Sequence, residues 1–371
     1  MDTTTIEKRG YDPVKPFLQQ INALTDAKSI MQFEAQRHKE GFNYIAAMGV
    51  SPDEKNSSMN IAVFYQTGLG LPDRDYYFKN DAATTAIQEA YKKYMQKIFI
   101  MTGYDSVTAH KKMEAVYDLE KKLAESHRTR VQLRDPQSNY NKSAVTDLNK
   151  QMPVFDWSSF LANLDAKTDS VNVGQPAYYI KLNSLLKTVP IDTWKSYYHF
   201  HVTDDAASYL SSAFVHAKFD YYNRAINGQQ QIKPRWERVY RVIDASLGEA
   251  LGKLYVDKYF TEAAKKRILE LVTNLQKSFE AHINQLDWMS AETKVNAKDK
   301  LYAFLKTIGF HDKWRDYSKV TIDRSKYFEN VISTSKNEYE YQLSKLNKPV
   351  DKTEWGMTPP TINAYYNPTF N

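Results

Sequence analysis

Cysteine is absent from all 371 residues. That absence removes disulfides, cysteine nucleophiles and thiolate zinc sites together. It leaves the compartment open, because a chain of this size can be stable outside the cytosol without disulfides. Glycine and proline are scarce, 12 and 13, and they gather at a few joints. No apolar run approaches the roughly 18 residues of a membrane span. The opening MDTTTIEKRGYDPVKPFLQQ lacks the apolar stretch of a signal peptide. A strong charge of one sign is missing too: 50 basic against 44 acidic residues leave +6. These charges are mixed along the chain, with no block dense enough to bind nucleic acid.

Common catalytic patterns are also missing. The sequence holds no H-E-x-x-H, no G-x-S-x-G and no phosphate-binding P-loop. In TGLGLPDR, Gly68 and Gly70 lack a third glycine, and Pro72 stands where a helix should open, so this is not a dinucleotide fingerprint. Of the eight histidines, only His199 and His201 are close in sequence. Two residues apart on a helix, their rings leave it roughly 200° apart, whereas helical metal pairs use spacings of three or four. His38, His110, His127, His216, His282 and His311 are isolated. Carboxylate pairs such as Asp204–Asp205, Asp73 with Asp75, and Glu338 with Glu340 read as turn or surface residues.

What is present is helical pattern. Hydrophobic residues make up 42% of the chain, enough for a core in two domains or in one large helical body. Ile87, Tyr91, Tyr94, Met95, Ile98 and Phe99 form one apolar face, with Gly103 placed as a C-terminal cap. A second helix follows Asp105 or Ser106 and carries Met113, Val116, Leu119 and Leu123. Residues 143–164 read as two short helices broken at Pro153, and 170–173 and 178–182 as short strands. A long helical region runs from Asp192 towards the Asn227-Gly228 turn. The next helix spans 236–259; its Gly248 and Gly252 each cost about 1 kcal/mol relative to alanine and imply close helix packing. An apolar stripe follows at Ile268, Leu271, Val272, Leu275, Phe279, Ile283 and Leu286. Ser290 fits the N-cap of a last helix, expected to run to Lys306 and stop at Gly309. A looser, tyrosine-rich stretch is expected over 310–349. Beyond two prolines, Ile362 to Tyr366 has the β-branched and aromatic character of a strand.

Three stretches carry a family likeness. GLGLPDRDYYF at 68–78, WMSAETKVNAKDKL at 288–301 and INAYYNP at 362–368, in this order, closely resemble the neprilysin family of zinc metallopeptidases. That family includes the endothelin-converting enzymes and bacterial oligopeptidases. The stretches at 51–78 and 247–260 resemble its bacterial branch in particular. The first stretch reads physically as a joint. Gly68, Gly70 and Pro72 make a tight loop, Asp73 or Asp75 accepts backbone N–H bonds, Arg74 pairs with a carboxylate, and residues 76–78 form an aromatic anchor.

The resemblance implies a mainly α, multi-helix lid domain with linkers over 1–345, then the start of the catalytic domain and its first strand over 346–371. It gives Asn363 a side-chain contact and Ala364 a main-chain contact to a substrate peptide that adds as an antiparallel strand. The implied parent is a zinc metalloendopeptidase in which metal-bound water attacks the peptide carbonyl and a glutamate of the zinc helix is general base. Zinc is expected in that parent and none in this chain, which carries no catalytic and no metal-ligating residue. The missing parts are the family's opening segment, the zinc helix and the rest of the catalytic lobe. The chain alone is therefore expected to be inactive, with exposed apolar surface and a tendency to self-associate or to disorder in its last dozen residues. Expected partners are peptide substrates and the missing catalytic lobe, with no nucleic acid and no membrane segment. The location stays unknown; cell envelope, periplasm or secretion would each suit a bacterial parent. The alternative is a stand-alone, non-catalytic peptide-binding protein built from the lid.

Overall fold

Seven of the fourteen α-helices among the described residues begin where a short polar side chain takes up the first free N–H groups. Asp81 Oδ1 accepts from Thr84 N–H at 3.0 Å, Asp105 Oδ1 from Thr108 N–H at 2.9 Å, and Ser290 Oγ from Thr293 N–H at 3.2 Å. The computed structural model describes residues 2–367. Its helices are α1 (Thr3–Arg9), α2 (Lys15–Asn22), α3 (Ala27–Lys39), α4 (Ala82–Met101), α5 (Ser106–Ala124), α6 (Val145–Gln151) and α7 (Trp157–Asn163). They continue as α8 (Pro176–Thr188), α9 (Ile191–Ala207), α10 (Ser212–Lys218), α11 (Arg235–Tyr259), α12 (Glu262–Gln285), α13 (Ala291–Ala303) and α14 (Tyr327–Ser344). The mainly α class expected from the spacing is the one observed.

The chain divides into two units. The first takes residues 1–51, 60–233 and 320–348; the second takes 52–59, 234–319 and 349–371.

Among the described residues there is one small sheet, whose buried part, residues 60–64 and 171–173, belongs to the first unit. Its strands β1 (Ala47–Asp53), β2 (Asn56–Tyr65), β3 (Lys142–Ala144) and β4 (Ser170–Val173) lie in the order β1-β2-β4-β3. β2 runs parallel to β4, with Val63 opposite Asn172 and Phe64 opposite Val173, and β3 is antiparallel to β4. Residues 60–64 are buried without alternation, the pattern of a strand covered on both faces. Phe64 packs edge-on to Trp157 at 4.9 Å and to Tyr179 at 5.9 Å, and Phe155 lies 4.5 Å from Trp157. Tyrosine hydroxyls in this core reach backbone oxygens: Tyr178 donates to Ile45 O at 2.8 Å and Tyr179 to Tyr65 O at 2.9 Å.

The second unit contains α11 to α13, and its described residues bury much less. α11 has a non-helical residue at Leu247 (φ −129°, ψ 33°), next to the buried Gly248. On α12 the apolar stripe is present, yet only Ile283 is buried; Ile268, Leu271, Leu275 and Phe279 are exposed.

Four local expectations change. Residues 178–182 lie inside α8 and not in a strand, because Pro176 opens a helix whose buried Tyr178, Tyr179, Leu182, Leu185 and Leu186 repeat every three or four residues. α13 stops at Ala303, three residues before Lys306, where Phe304 turns to extended backbone (φ −61°, ψ 123°). The stretch expected to be loose contains the 18-residue α14, whose Phe328, Ile332 and Thr334 are buried. The expected strand at 362–366 is irregular backbone, because none of the described residues pairs with it in a ladder. The large aromatic core yields the first prediction. Trp157→Ala should lower unfolding free energy by about 3–5 kcal/mol, read by chemical denaturation; a loss under about 1 kcal/mol would contradict this packing.

Candidate functional site

The residues expected to touch a peptide lie in the second unit, and both are exposed. Asn363 N–H donates to Thr361 O at 3.2 Å, and Ala364 N–H donates to Asn363 Oδ1 at 2.8 Å. The Asn363 side chain is thus bonded to the Ala364 main chain. Pro368, the last residue of the motif, lies outside the described residues.

The segment leading to this pair is held at several points. Trp355 packs edge-on to His311, with ring centres 5.5 Å apart, and Gly356 N–H donates to the Tyr365 hydroxyl at 2.9 Å. Thr358 Oγ1 donates to Asp244 Oδ1 at 3.0 Å, and Tyr366 lies 5.4 Å from Phe304. Gly248 and Gly252, read from sequence as a site of close helix packing, instead face the irregular segment at Thr358 and Pro359. His311 sits beside Glu249 at 3.3 Å, and burial keeps its ring below the usual imidazole range against that carboxylate's pull.

The joint at 68–78 belongs to the first unit. Asp73 Oδ1 accepts Asp75 N–H at 2.8 Å, and Arg74 pairs with Asp75 at 3.1 Å, as the sequence suggested. A cavity of about 310 Å³ opens beside it, lined by Asp73, Asp75, Lys79, Asp81 and Arg130 among others. Its charges are largely satisfied, since Arg130 meets Asp73 at 2.8 Å and Asp81 caps α4. Tyr77 is buried, and its hydroxyl donates to Glu120 at 2.6 Å while accepting from Leu71 N–H at 3.1 Å. Gly70 is required here, because a Cβ would stand 1.8 Å from the Tyr91 hydroxyl.

Glu120, which the sequence did not single out, is wholly buried. It also accepts from Tyr91 at 2.7 Å and meets His201 Nε2 at 2.7 Å. His199 turns the other way, to Thr102 Oγ1 at 2.8 Å, so the two histidines diverge as their spacing requires. Glu34, buried, accepts N–H bonds from Tyr44, Ile45 and Ala46 at 2.9–3.0 Å and a bond from the Tyr198 hydroxyl at 3.0 Å. Among the described residues, no three His, Cys, Asp or Glu side chains gather as a metal would require. These residues do not fit a zinc centre, and no zinc step runs through them.

A mainly helical body with a small four-stranded sheet is the fold of the N-terminal portion of neprilysin-type metallopeptidases. The N-terminal model of peptidase family M13 matches residues 1–311, and the chain belongs to that family, for which zinc is the expected metal. An endothelin-converting enzyme homolog of Locusta migratoria is 30% identical, over 99% of this chain and 54% of that protein. Endothelin-converting enzyme 1 of Homo sapiens is 28% identical, over 87% of this chain and 43% of that protein. The crystal structure of the zinc metalloprotease ZMP1 of Mycobacterium tuberculosis in complex with inhibitor matches with a TM-score of 0.92 at 35% identity, covering 99% of this chain and 56% of that one. PEPO from Lactobacillus rhamnosis shares the fold at 20% identity, with a TM-score of 0.88 over 99% and 59% of the two chains. The chain thus spans about half the length of these relatives. No helix among the described residues is long and apolar enough to cross a membrane.

The buried rings set an acid limit on stability. Desolvation lowers His38, His127 and His199 to about 4. Between the unfolded value near 6.5 and about 4, the unfolded chain binds protons that the folded chain refuses. This contribution is therefore complete above about 6.5 and is lost as pH falls through 4. Desolvation also raises Glu34 to about 7 and Asp205 to about 6, and these act with opposite sign, losing stability as pH rises through those values. The three imidazoles outweigh the two carboxyls, so unfolding free energy should drop from pH 6.5 to pH 4. His199→Phe, which cannot take a proton in either state, should make that drop smaller by up to about 3 kcal/mol. An unchanged pH slope in denaturation curves would refute the assignment.

Proposed function

We propose that the chain is the lid-forming, N-terminal portion of a zinc metalloendopeptidase that hydrolyses peptides. On this reading, residues 1–345 are the lid with its linkers, and 346–371 begin the catalytic region. Asn363 and Ala364 hold the substrate backbone, the first by its side-chain amide and the second by its main chain. The observation that carries the proposal is the match to the family over residues 1–311, joined to the exposed Asn363-Ala364 pair beyond it. An edge that presents main-chain groups to an extended peptide gains affinity from hydrogen bonds and specificity from pockets for alternate side chains.

Hydrolysis itself is assigned to the parent protein and not to these residues. Purified alone, the chain should hold no stoichiometric zinc by elemental analysis and should leave peptides intact by mass spectrometry. Tight one-to-one zinc with chelator-sensitive cleavage would overturn this, and His199 and His201 would be the first residues to re-test. The coding sequence beyond Asn371 separates the proposal from a free-standing peptide-binding protein. Continuation into an H-E-x-x-H helix supports the peptidase portion, and a stop codon supports the binding protein. Where a peptide binds, Asn363→Ala should weaken it about tenfold, the worth of one net hydrogen bond. Unchanged affinity by calorimetry would remove Asn363 from the site.

A further inference from the structure

We propose that Asp244, Gly248 and Gly252 on α11 are positioning residues for the Asn363–Ala364 pair. The inference rests on the reading of that pair as the peptide contact. Gly248 and Gly252 stand one turn apart on the helical segment after Leu247, and Asp244, before that non-helical residue, has its carboxylate beside Gly248. Each meets the segment that delivers the pair. Asp244 Oδ1 accepts the Thr358 hydroxyl at 3.0 Å. A Cβ at Gly248 would stand 2.4 Å from Thr358 Cγ2, and one at Gly252 would stand 2.6 Å from Pro359 Cδ. Neither glycine has the positive φ that would call for glycine by itself. The approach of residues 358–359 is what their missing side chains permit.

Contact at this point bears on Asn363 because the chain between them is short and stiff. Pro359 and Pro360 have their φ fixed by their rings. Thr361 N–H closes back on Thr358 O at 2.9 Å, and Asn363 N–H on Thr361 O at 3.2 Å. The Tyr365 hydroxyl accepts from Gly356 N–H at 2.9 Å, tying the far side of the pair to the near side of the clamp. A displacement at Thr358 is therefore carried to Asn363 and not absorbed on the way.

The test uses the full chain with Gly248→Ala, Thr358→Ser, the double variant and, separately, Asp244→Ala. Serine at 358 lacks the Cγ2 that an alanine at 248 would strike and keeps the Oγ1 that bonds Asp244. Two measurements are made: hydrogen exchange of the amides at 356–364, and anisotropy of a fluorescein-labelled nonapeptide, (Ala-Phe-Lys)3. Gly248→Ala should speed exchange and weaken the peptide about tenfold or more each, with amide protection in α11 retained. The double variant should return both to within about threefold of Thr358→Ser. Asp244→Ala, which creates no clash and keeps the helix, should shift both in the same direction by about threefold or more. Unaltered exchange in Gly248→Ala and Asp244→Ala, or a Gly248→Ala defect that Thr358→Ser fails to relieve, would overturn the proposal. The two readings fail separately. Exchange decides the clamp without reference to peptide, whereas peptide affinity that survives Asn363→Ala defeats the peptide reading alone.

Discussion

Glu120 is the constraint around which the first unit is organised. A wholly buried carboxylate is costly unless its oxygens are satisfied, and here the partners come from three separate parts of the chain. Tyr77 belongs to the loop after β2, Tyr91 to α4 and His201 to α9, while Glu120 itself is on α5. None of these elements can shift without leaving a donor or an acceptor unpaired in the core. Such bonds add little net free energy when made but cost about 1–3 kcal/mol when one partner is removed. They therefore specify one arrangement of α4, α5 and α9 more strongly than apolar packing alone would. Glu34 repeats the device on α3, gathering three successive backbone N–H groups and the Tyr198 hydroxyl.

This explains the use of 27 tyrosines in one chain. A tyrosine supplies an aromatic ring for packing and a hydroxyl that reaches across it. Asp204, expected from sequence at a turn or on the surface, is buried in α9. Tyr94 and Tyr222 donate to it at 2.6 and 3.0 Å, while Tyr221 reaches Gly70 O at 3.1 Å. The stretch GLGLPDRDYYF takes its meaning from the same network. Gly70 is small because the Tyr91 hydroxyl on its way to Glu120 occupies the space of a Cβ, and Tyr77 closes the loop onto the same carboxylate. The stretch is a joint, and its charged residues are paired, Arg74 with Asp75 and Asp73 with Arg130.

What could be read in advance follows the range of the interactions. α4, α5, α6 and α7 announce themselves by apolar spacing and by polar or proline punctuation, both local signals. The β2–β4 pairing joins residues more than a hundred positions apart and leaves no local trace beyond a buried run at 60–64. α14 was obscured by Ser333, Thr334 and Ser335, although Phe328, Ile332, Tyr339 and Leu343 keep a helical spacing. Glu120 had no signal at all, because a buried carboxylate looks like any surface glutamate until its partners are known. Asn363 and Ala364 are assigned by family likeness and not by spacing. The strand expected around them failed for a physical reason. Side-chain character favours a strand, but the ladder partner decides, and among the described residues none pairs with it.

The second unit places different demands on its residues. α12 keeps an amphipathic sequence, yet its apolar side is mostly exposed, so its helicity leans on propensity and the Thr261 cap more than on burial. α11 does the opposite. It carries two glycines that weaken it as a helix, beside the non-helical Leu247, and it gains a close approach of Thr358 and Pro359. A helix that gives up intrinsic stability to admit a neighbouring segment makes sense if that segment's position matters. On the proposed reading, the position matters because the peptide contact is an exchange of bonds. Ala364 N–H already has an acceptor in Asn363 Oδ1, so an incoming backbone must supply a carbonyl for the first and an N–H for the second. One internal bond is given up and two are formed, all at an exposed site where water competes. The net gain of such a swap is small, and it survives only where the pair is already held in place, which is what a rigid attachment five residues upstream provides.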